Sequence, residues 1–154
     1  MKYLAAASIL FFMLASGAFA QNDSIKELTD MAQNGSIEAQ ADLGYMYFHG
    51  EGVAKDYAKG IAWYKKAAAQ NNVYAQYNLG IIYDNGEGVT RDLVAAFGWY
   101  KQAAENGLPH AQHNVANMYQ MGEGAPKDYA QGLLWYEKAA ERGDSPSPFN
   151  FARM

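Results

Sequence analysis

The stretch AQADLGYMYFHGEGVAKDYAKGIAWYKKAAAQN, residues 39–71, is repeated 36 residues later as AQYNLGIIYDNGEGVTRDLVAAFGWYKQAAENG, residues 75–107. A third copy, with more substitutions, occupies residues 111–143. Periods of about 20–50 residues are typical of solenoid arrays, in which each unit buries its apolar side against its neighbours. The repeat therefore predicts a stack of similar units.

Within one copy the apolar residues follow a helical period in two separate segments. In the first segment Ala39, Leu43 and Tyr47 are spaced i, i+4, i+8, and in the second Ile61 and Ala68 lie on a similar stripe. Such spacing places side chains on one face of a helix. We predict an all-α fold of helical hairpins, with six repeat helices and no sheet.

Residues that form helix caps occur at the repeat spacing. Asp, Ser and Asn accept hydrogen bonds from first-turn amides, and Gly and Asn tolerate the left-handed conformation at a helix end. The predicted starts of the second helices are Asp56, Asp92 and Asp128, and their predicted ends are Asn71, Gly107 and Gly143. The first helices are predicted to begin after Ser36, Asn72 and Leu108, with Pro109 at a first helical position.

Each copy also contains the phrase Gly-Glu-Gly, at residues 50–52, 86–88 and 122–124. Closely spaced glycines can form a phosphate-binding loop, but such a loop follows a strand and occurs once per site. Here the phrase follows a predicted helix in every unit and has a glutamate at its centre. We interpret it as a corner between helices, in which glycine adopts positive φ.

Shorter segments precede and follow the repeats. Residues 1–20 contain a lysine, an apolar run and an Ala-Phe-Ala site, the pattern of a secretory signal peptide. Residues 24–27 form a capping-box pattern, which predicts a short helix from about Ile25 to Asn34. The predicted segments are a signal peptide at 1–20, an N-terminal capping half-repeat at 21–36, repeats at 37–72, 73–108 and 109–144, and a truncated C-terminal cap at 145–154.

The composition argues against several classes of protein. The whole chain has a net charge of −4, and the predicted signal peptide contains one lysine and no acid. An acidic protein is not attracted to nucleic acid or to an anionic membrane surface. The chain has no cysteine, which excludes disulfides, thiol catalysis and thiolate metal sites. We predict a periplasmic or secreted protein with no nucleic-acid partner and no membrane insertion after signal cleavage.

The phrases A-Q-x-x-L-G, G-E-G-V and W-Y-x-x-A-A of the first two copies resemble those of the Sel-one-like repeat (SLR) family, which is related to the tetratricopeptide repeat. The third copy departs from them at Val115, Ala116 and Ala125. The resemblance covers residues 37–144. It implies a right-handed α-solenoid whose first helices line a concave surface, and a role as an adaptor or scaffold for other proteins.

Catalytic and metal-binding patterns are scarce. The serines outside the signal peptide are Ser24, Ser36, Ser145 and Ser147. Glu51, Glu87 and Glu123 recur at the repeat spacing, and we predict solvated loop acids rather than a catalytic carboxylate pair. His110 and His113 lie three residues apart on one predicted helix, but no third strong ligand is near them in the sequence. We predict no catalytic residue, no metal and no cofactor.

Positions that differ between copies but share one face of the first helices are not dictated by the scaffold. This face is rich in aromatic, His and Asn side chains, which are common where proteins or peptides dock. An ordinary helix surface with chance aromatic residues remains the alternative. The predicted binding residues are Asp42, Tyr45, Phe48, His49, Tyr74, Tyr77, Asn78, Ile81, Asp84, His110, His113, Asn114, Asn117 and Met121.

These patterns favour an exported, non-enzymatic module that binds a protein or peptide in a groove formed by the first helices. The SLR resemblance implies two more specific roles, an envelope adaptor or a periplasmic immunity protein against a delivered toxin. It also implies an enzymatic alternative, because cysteine-rich exported relatives are associated with β-lactam binding and hydrolysis. Those relatives have disulfides within each repeat, which this chain cannot form.

Overall fold

The computed structural model describes residues 23–141, and this part of the chain contains seven helices and no strand. The first helix, α1, extends from the first described residue, 23, to residue 33. The repeat helices are α2 (Ile37–His49), α3 (Tyr57–Ala69), α4 (Val73–Asn85), α5 (Leu93–Glu105), α6 (Pro109–Met121) and α7 (Tyr129–Glu141). Each repeat helix packs against the next along the chain. The predicted all-α solenoid of helical hairpins is confirmed.

Three sequence predictions concern residues beyond this range. The predicted signal peptide, the helix end at Gly143 and the segment 145–154 lie outside the described residues. The short N-terminal helix predicted from about Ile25 to Asn34 is present as α1, which is already helical at residue 23, so Ser24 lies within the helix rather than at its N-cap. None of the helices between residues 23 and 141 is long and apolar enough to span a bilayer.

The second helices begin after the predicted N-cap aspartates. The carboxylate of each predicted N-cap aspartate accepts a hydrogen bond from the backbone amide three residues later. The pairs are Asp56 with Lys59, Asp92 with Ala95 and Asp128 with Gln131, each at 3.0 Å. Ser36 and Asn72 cap α2 and α4 in the same way, whereas Leu108 makes no side-chain cap and Pro109 begins α6.

The Gly-Glu-Gly corners place both of their glycines at positive φ, between 70° and 78°. The second glycine also touches the preceding unit. A Cβ atom at Gly88 would lie 2.5 Å from the Cβ of Tyr57, and one at Gly124 would lie 2.1 Å from the carbonyl oxygen of Leu93. The phrase is therefore a corner, as predicted, and it is also a contact between consecutive units.

The most deeply buried aromatic side chains of the described residues belong to the second helices: Tyr64, Tyr100 and Tyr136 are 2%, 3% and 1% exposed. The ring of Tyr64 lies against Gly44 of α2, where an added Cβ would come within 2.6 Å of a ring carbon. Tyr100 lies against Gly80 of α4 in the same manner, with a corresponding distance of 2.4 Å. Glycine at these positions lets the two helices of a hairpin approach closely.

The tryptophans that precede these tyrosines are less buried than their repetition predicts. Recurrence in each copy suggests that both members of the Trp-Tyr pair form the core. Trp135 is buried, but Trp63 and Trp99 are only half-buried. Consecutive residues on a helix point about 100° apart, so only one member of each pair can face directly between the first helices.

Buried glutamines connect consecutive units. The side-chain amide of Gln40 donates to the carbonyl of Ala32 at 3.0 Å, and its oxygen accepts from Gln70 at 2.8 Å. Gln76 and Gln112 donate in the same way to the carbonyls of Ala68 and Ala104 in the preceding unit. Within the second unit Asn106 donates to Gln76, as Gln70 does to Gln40 in the first. Among the described residues the Oε1 of Gln112 has no partner, and the equivalent donor position, residue 142, lies outside them.

Replacing Gly124 with Ala should destabilise the protein more than replacing Gly35. Gly35 has a φ of 97° with no atom within 4 Å of an added Cβ, so Gly35→Ala carries only the cost of positive φ, about 1 kcal/mol. Gly124→Ala adds a clash with backbone, and we expect a further loss of about 2 kcal/mol in urea unfolding. Equal losses would show that this corner does not support the neighbouring unit.

Truncation of the aromatic pair in the central unit should affect stability unequally. Because Tyr100 is buried, Tyr100→Ala should lower the free energy of unfolding by about 3–5 kcal/mol. Trp99 is half-buried, so Trp99→Ala should cost about 1–2 kcal/mol. Chemical unfolding of both variants measures the difference, and a larger loss for Trp99→Ala would contradict this assignment of the core.

Stability should fall above pH 10. Burial, followed by the nearby charges of Tyr45 and Asp42, raises the pKa of Tyr64 to about 12, although a hydrogen bond with Asn78 acts in the opposite direction. The folded protein therefore retains a proton that the unfolded chain, with a tyrosine pKa of about 10, has lost. The contribution of the buried Tyr64 phenol to stability is complete below pH 10 and is lost between about pH 10 and 12.

Urea unfolding as a function of pH tests whether stability falls as Tyr64 ionises. The decline between pH 10 and 12 should be shallower in Tyr64→Phe, which has no phenol to ionise at this site. The matched control is Tyr129→Phe, because Tyr129 is 55% exposed. If the Tyr64→Phe and wild-type proteins show the same pH dependence, ionisation of Tyr64 is not coupled to folding.

Candidate functional site

The charged side chains are divided between the two helices of each hairpin. The first helices of the three units, α2, α4 and α6, contain no Lys or Arg and carry the carboxylates Glu38, Asp42 and Asp84. The lysines of the repeat helices all lie on α3, α5 and α7. The first helices are therefore acidic and aromatic, and the second helices supply the positive charge.

A groove lies between α2 and α4, the first helices of adjacent units. It consists of two adjoining cavities of about 350 Å³ and 160 Å³ that share Tyr64 and Asn78. The larger cavity, which we call the tyrosine pocket, is lined by Glu38, Ala41, Asp42, Tyr45, Tyr64, Asn72, Tyr74 and Asn78. The smaller cavity is lined by Phe48, His49, Tyr64, Asn78, Ile81, Ile82 and Glu87.

Second-helix tyrosines form the floor between the first helices. Tyr64 of α3 reaches through the hairpin to the side chain of Asn78 of α4, and the two residues line both cavities. Tyr100 of α5 has the equivalent contact with Asn114 of α6, and burial raises its pKa. The recurrence of the Trp-Tyr pair in each copy predicts only a packing role for Tyr64. Its recurrence as Tyr rather than Phe was the available signal, because a buried hydroxyl needs a partner.

The last described unit departs from this arrangement. The hydroxyl of Tyr136 donates to the side-chain oxygens of Asn117 and Gln120, both in α6 of its own unit. The ring of His113 packs edge-on against Tyr136, with centroids 5.6 Å apart. The face of α6 is thus held by contacts within its own hairpin.

The predicted binding residues divide into three sets by exposure. The exposed set is Asp42, Tyr45, His49, Tyr74, His110 and Met121. The half-buried set is Tyr77, Asn78, Ile81, Asp84, His113, Asn114 and Asn117. The remaining residue, Phe48, is buried. The members that line the groove between α2 and α4 are Asp42, Tyr45, Phe48, His49, Tyr74, Asn78 and Ile81. Tyr77 and Asp84 of α4 lie instead on the side of Tyr100, and the remaining members lie on α6.

Phe48 does not offer the accessible surface that the sequence predicted. It is 4% exposed, and its ring packs edge-on against Tyr57 with centroids 4.9 Å apart. This position of α2 turns toward α3 rather than toward solvent. Phe48 borders the smaller cavity as part of the core.

Tyr77 and Tyr74 differ in how far they are free to contact a partner. Tyr77 is half-buried, its ring lies 5.7 Å from that of Tyr100, and burial raises its pKa despite a hydrogen bond with Asn114. Tyr74 is 65% exposed at the mouth of the tyrosine pocket. Truncation of Tyr77 would therefore disturb packing as well as the surface, whereas truncation of Tyr74 would change mainly the surface.

The corner glutamates are exposed, as predicted, but they also hold aromatic side chains. The hydroxyl of Tyr45 donates to the Oε1 of Glu51 at 3.0 Å, which fixes one wall of the groove. The hydroxyl of Tyr57 donates to the Oε1 of Glu87 at 3.0 Å and links the first unit to the second. Sequence reasoning missed both contacts. Tyr45 and Glu51 are on opposite sides of a helix end, and Tyr57 and Glu87 are 30 residues apart in the sequence.

The histidines of α6 contact different aromatic rings. The ring of His110 lies 6.4 Å from Tyr77, and that of His113 lies against Tyr136. Within residues 23–141 no group of three His, Asp or Glu side chains is arranged to hold a metal ion.

Solved structures and a sequence profile show which proteins resemble this chain. The profile of the Sel1 repeat family matches residues 37–72, 73–108 and 109–144. The crystal structure of a Sel1 repeat protein from Oxalobacter formigenes is similar, with a TM-score of 0.75 and 34% identity, covering 84% of this chain and 96% of that chain. A protective antigen with an SLR fold from uropathogenic Escherichia coli has a TM-score of 0.70 and 34% identity, over 88% of this chain and 33% of that chain.

Cysteine rich protein B of Helicobacter pylori shares the fold, with a TM-score of 0.61 at 22% identity over 84% of this chain and 96% of that chain. In sequence, the chain is 42% identical over 56 residues to the secretory immunoglobulin A-binding protein EsiB of Escherichia coli O6:H1. This match covers 36% of the chain and only 11% of the length of EsiB. The resemblance to the SLR family is thereby confirmed, and the chain belongs to the Sel1 repeat family, whose solenoids are protein-interaction modules.

Proposed function

We propose that this chain is an exported, non-enzymatic module that binds a protein or peptide along the groove between α2 and α4. The observation that carries the proposal is the pairing of two adjoining cavities with exposed tyrosines on both walls. Tyr45 and Tyr74 are 44% and 65% exposed. Large aromatic side chains left at the mouth of a cavity are typical of surfaces that bury them against a partner.

The groove suits a segment of a protein better than a substrate undergoing chemistry. Its polar groups are tyrosine hydroxyls, carboxamides, carboxylates and the imidazole of His49, and the hydroxyl of Tyr45 is held by Glu51. Such groups fix the position of a ligand through hydrogen bonds, and none is paired as a nucleophile with a base. Binding without turnover is the function that this arrangement supports best.

The export part of the proposal rests on the sequence of residues 1–20, and the absence of cysteine is compatible with an oxidising compartment. Within the envelope, the two roles implied by the family are an adaptor and an immunity protein that neutralises a delivered toxin. Both roles would present the same groove to a single dedicated partner. Identification of the captured partner distinguishes them.

Truncation of the exposed groove tyrosine should weaken binding without unfolding the protein. After capture of a partner from an envelope extract with residues 21–154, calorimetric titration should show that Tyr74→Ala lowers affinity by about 2 kcal/mol or more. Thermal stability should change little, because Tyr74 is largely exposed.

The control is Tyr129→Ala, which removes the same side chain from the start of α7, away from the groove, where it is 55% exposed. It should leave affinity unchanged. Loss of binding in Tyr129→Ala but not in Tyr74→Ala would move the binding surface to the other side of the solenoid. Hydrolysis of nitrocefin, or a penicilloyl adduct detected by mass spectrometry, would instead support the enzymatic alternative.

A further inference from the structure

The tyrosine pocket contains negative charge and aromatic rings but no positive charge. Its lining includes the carboxylates of Glu38 and Asp42 and the rings of Tyr45, Tyr64 and Tyr74, and no Lys, Arg or His. Within the described part of the chain neither carboxylate forms an ion pair with a Lys or Arg. The four ion pairs of these residues do not involve the pocket, and the one that includes a first-helix acid joins Asp84 of α4 to Arg91. The pocket therefore lacks a charge partner of its own.

The two carboxylates also stand in an unfavourable relation to each other. Glu38 and Asp42 are four residues apart on α2, so they lie on the same face one turn apart. Like charges at this spacing destabilise a helix by about 0.2–0.5 kcal/mol. The positive end of the helix dipole favours Glu38 in the first turn, but α2 has no Lys or Arg to pair with either carboxylate. A cation bound between the two side chains would remove their repulsion.

The aromatic walls favour a particular kind of cation. A guanidinium or ammonium group is attracted to the face of a tyrosine ring, and a planar guanidinium can stack on the ring while donating to a carboxylate. Tyr45 is kept in place by its hydrogen bond to Glu51 at 3.0 Å, so its ring is a preorganised wall. The pocket volume of about 350 Å³ is near the lower end of the range for ligand sites, which suits one long side chain.

The start of α4 also borders the pocket. A helix N-terminus carries partial positive charge and attracts anions. At α4 the side-chain oxygen of Asn72 already accepts the hydrogen bond of the Ala75 amide at 2.8 Å. With that amide occupied and two carboxylates on the opposite wall, the balance of charge in the pocket is negative.

From these contacts we propose that the tyrosine pocket is a subsite for an arginine side chain of the partner, with the guanidinium between Glu38 and Asp42 and stacked on a tyrosine ring. The inference rests on the proposed function and adds to it the chemistry of the partner. The partner segment that enters the groove should therefore be basic at the position that reaches α2. This complements a groove whose first helices carry only carboxylates and histidines as ionisable side chains besides tyrosine.

Blocked tripeptides test the subsite without knowledge of the natural partner. Acetyl-Gly-Arg-Gly-amide is titrated into the protein while the NMR signals of Tyr45, Tyr64 and Tyr74 are followed. Its affinity should be at least about fivefold higher than that of the citrulline peptide, which has nearly the same shape without the charge. The lysine peptide should bind more weakly than the arginine peptide, and the glutamate peptide should give no saturable shift.

Variants of the carboxylates assign the interaction to the pocket. Asp42→Asn and Glu38→Gln should each weaken binding of the arginine peptide by about threefold to fivefold, and the loss should be smaller at high salt. The matched control is Glu137→Gln, an exposed acid on the second helix α7, which should leave affinity unchanged. Circular dichroism of each variant verifies that the helices are intact.

The outcomes separate this inference from the proposed function. Equal affinity of the arginine and citrulline peptides, preference for the glutamate peptide, no saturable shift at all, or no effect of Asp42→Asn would each overturn the arginine subsite. If one of these results is found while Tyr74→Ala still weakens binding of the captured partner, the partner binds in the groove but places no arginine in the tyrosine pocket. If the subsite binds arginine but Tyr74→Ala has no effect on the captured partner, the proposed function fails on its own.

Discussion

The contact between a second-helix tyrosine and a first-helix glycine is the interaction on which the architecture depends. Because Gly44 has no side chain, the ring of Tyr64 lies directly on the backbone of α2 and continues past it. Its hydroxyl then reaches Asn78 on the first helix of the next unit. One side chain thus closes its own hairpin and joins the following one, and Tyr100 repeats this arrangement one unit later with Gly80 and Asn114.

The same contact determines what a partner would meet in the groove. A phenol that crosses between two first helices leaves its polar end at the floor, so the groove has hydroxyl and carboxamide groups among its aromatic and aliphatic side chains. Around this floor the walls vary between units. The segregation of lysines to the second helices leaves the first helices without Lys or Arg, which biases the groove toward neutral and basic ligands.

Bonds between consecutive units give the stack its order. The hydrogen bonds from Gln76 to Ala68 and from Gln112 to Ala104, and the close approach of the Gly-Glu-Gly corner to the preceding unit, occur at the same register in successive repeats. In arrays of this kind stability is approximately a sum of unit and interface terms. Residues that carry these interfaces recur and tolerate little change, whereas groove positions such as Tyr45 and Tyr74 are free to differ.

Much of the fold could be predicted from the sequence because its signals are local. Helix spacing, the aspartate caps and the glycines that accept positive φ act within a few residues of the chain, and the 36-residue period then requires successive units to pack alike. The face that carries the variable aromatic residues could be identified for the same reason. Burial was harder to predict, because it depends on which side of a helix meets another helix.

Only the tertiary structure decided which repeated or variable aromatic residues are accessible. Phe48 is in the core although it varies between copies, and Trp99 is half-buried although it recurs. The pairing of Glu38 and Asp42 with Tyr74 likewise depends on the approach of α4 to α2, which brings together side chains more than thirty residues apart. Sequence periodicity determined the architecture through local helix geometry, and the packing of one helix on the next created the pocket.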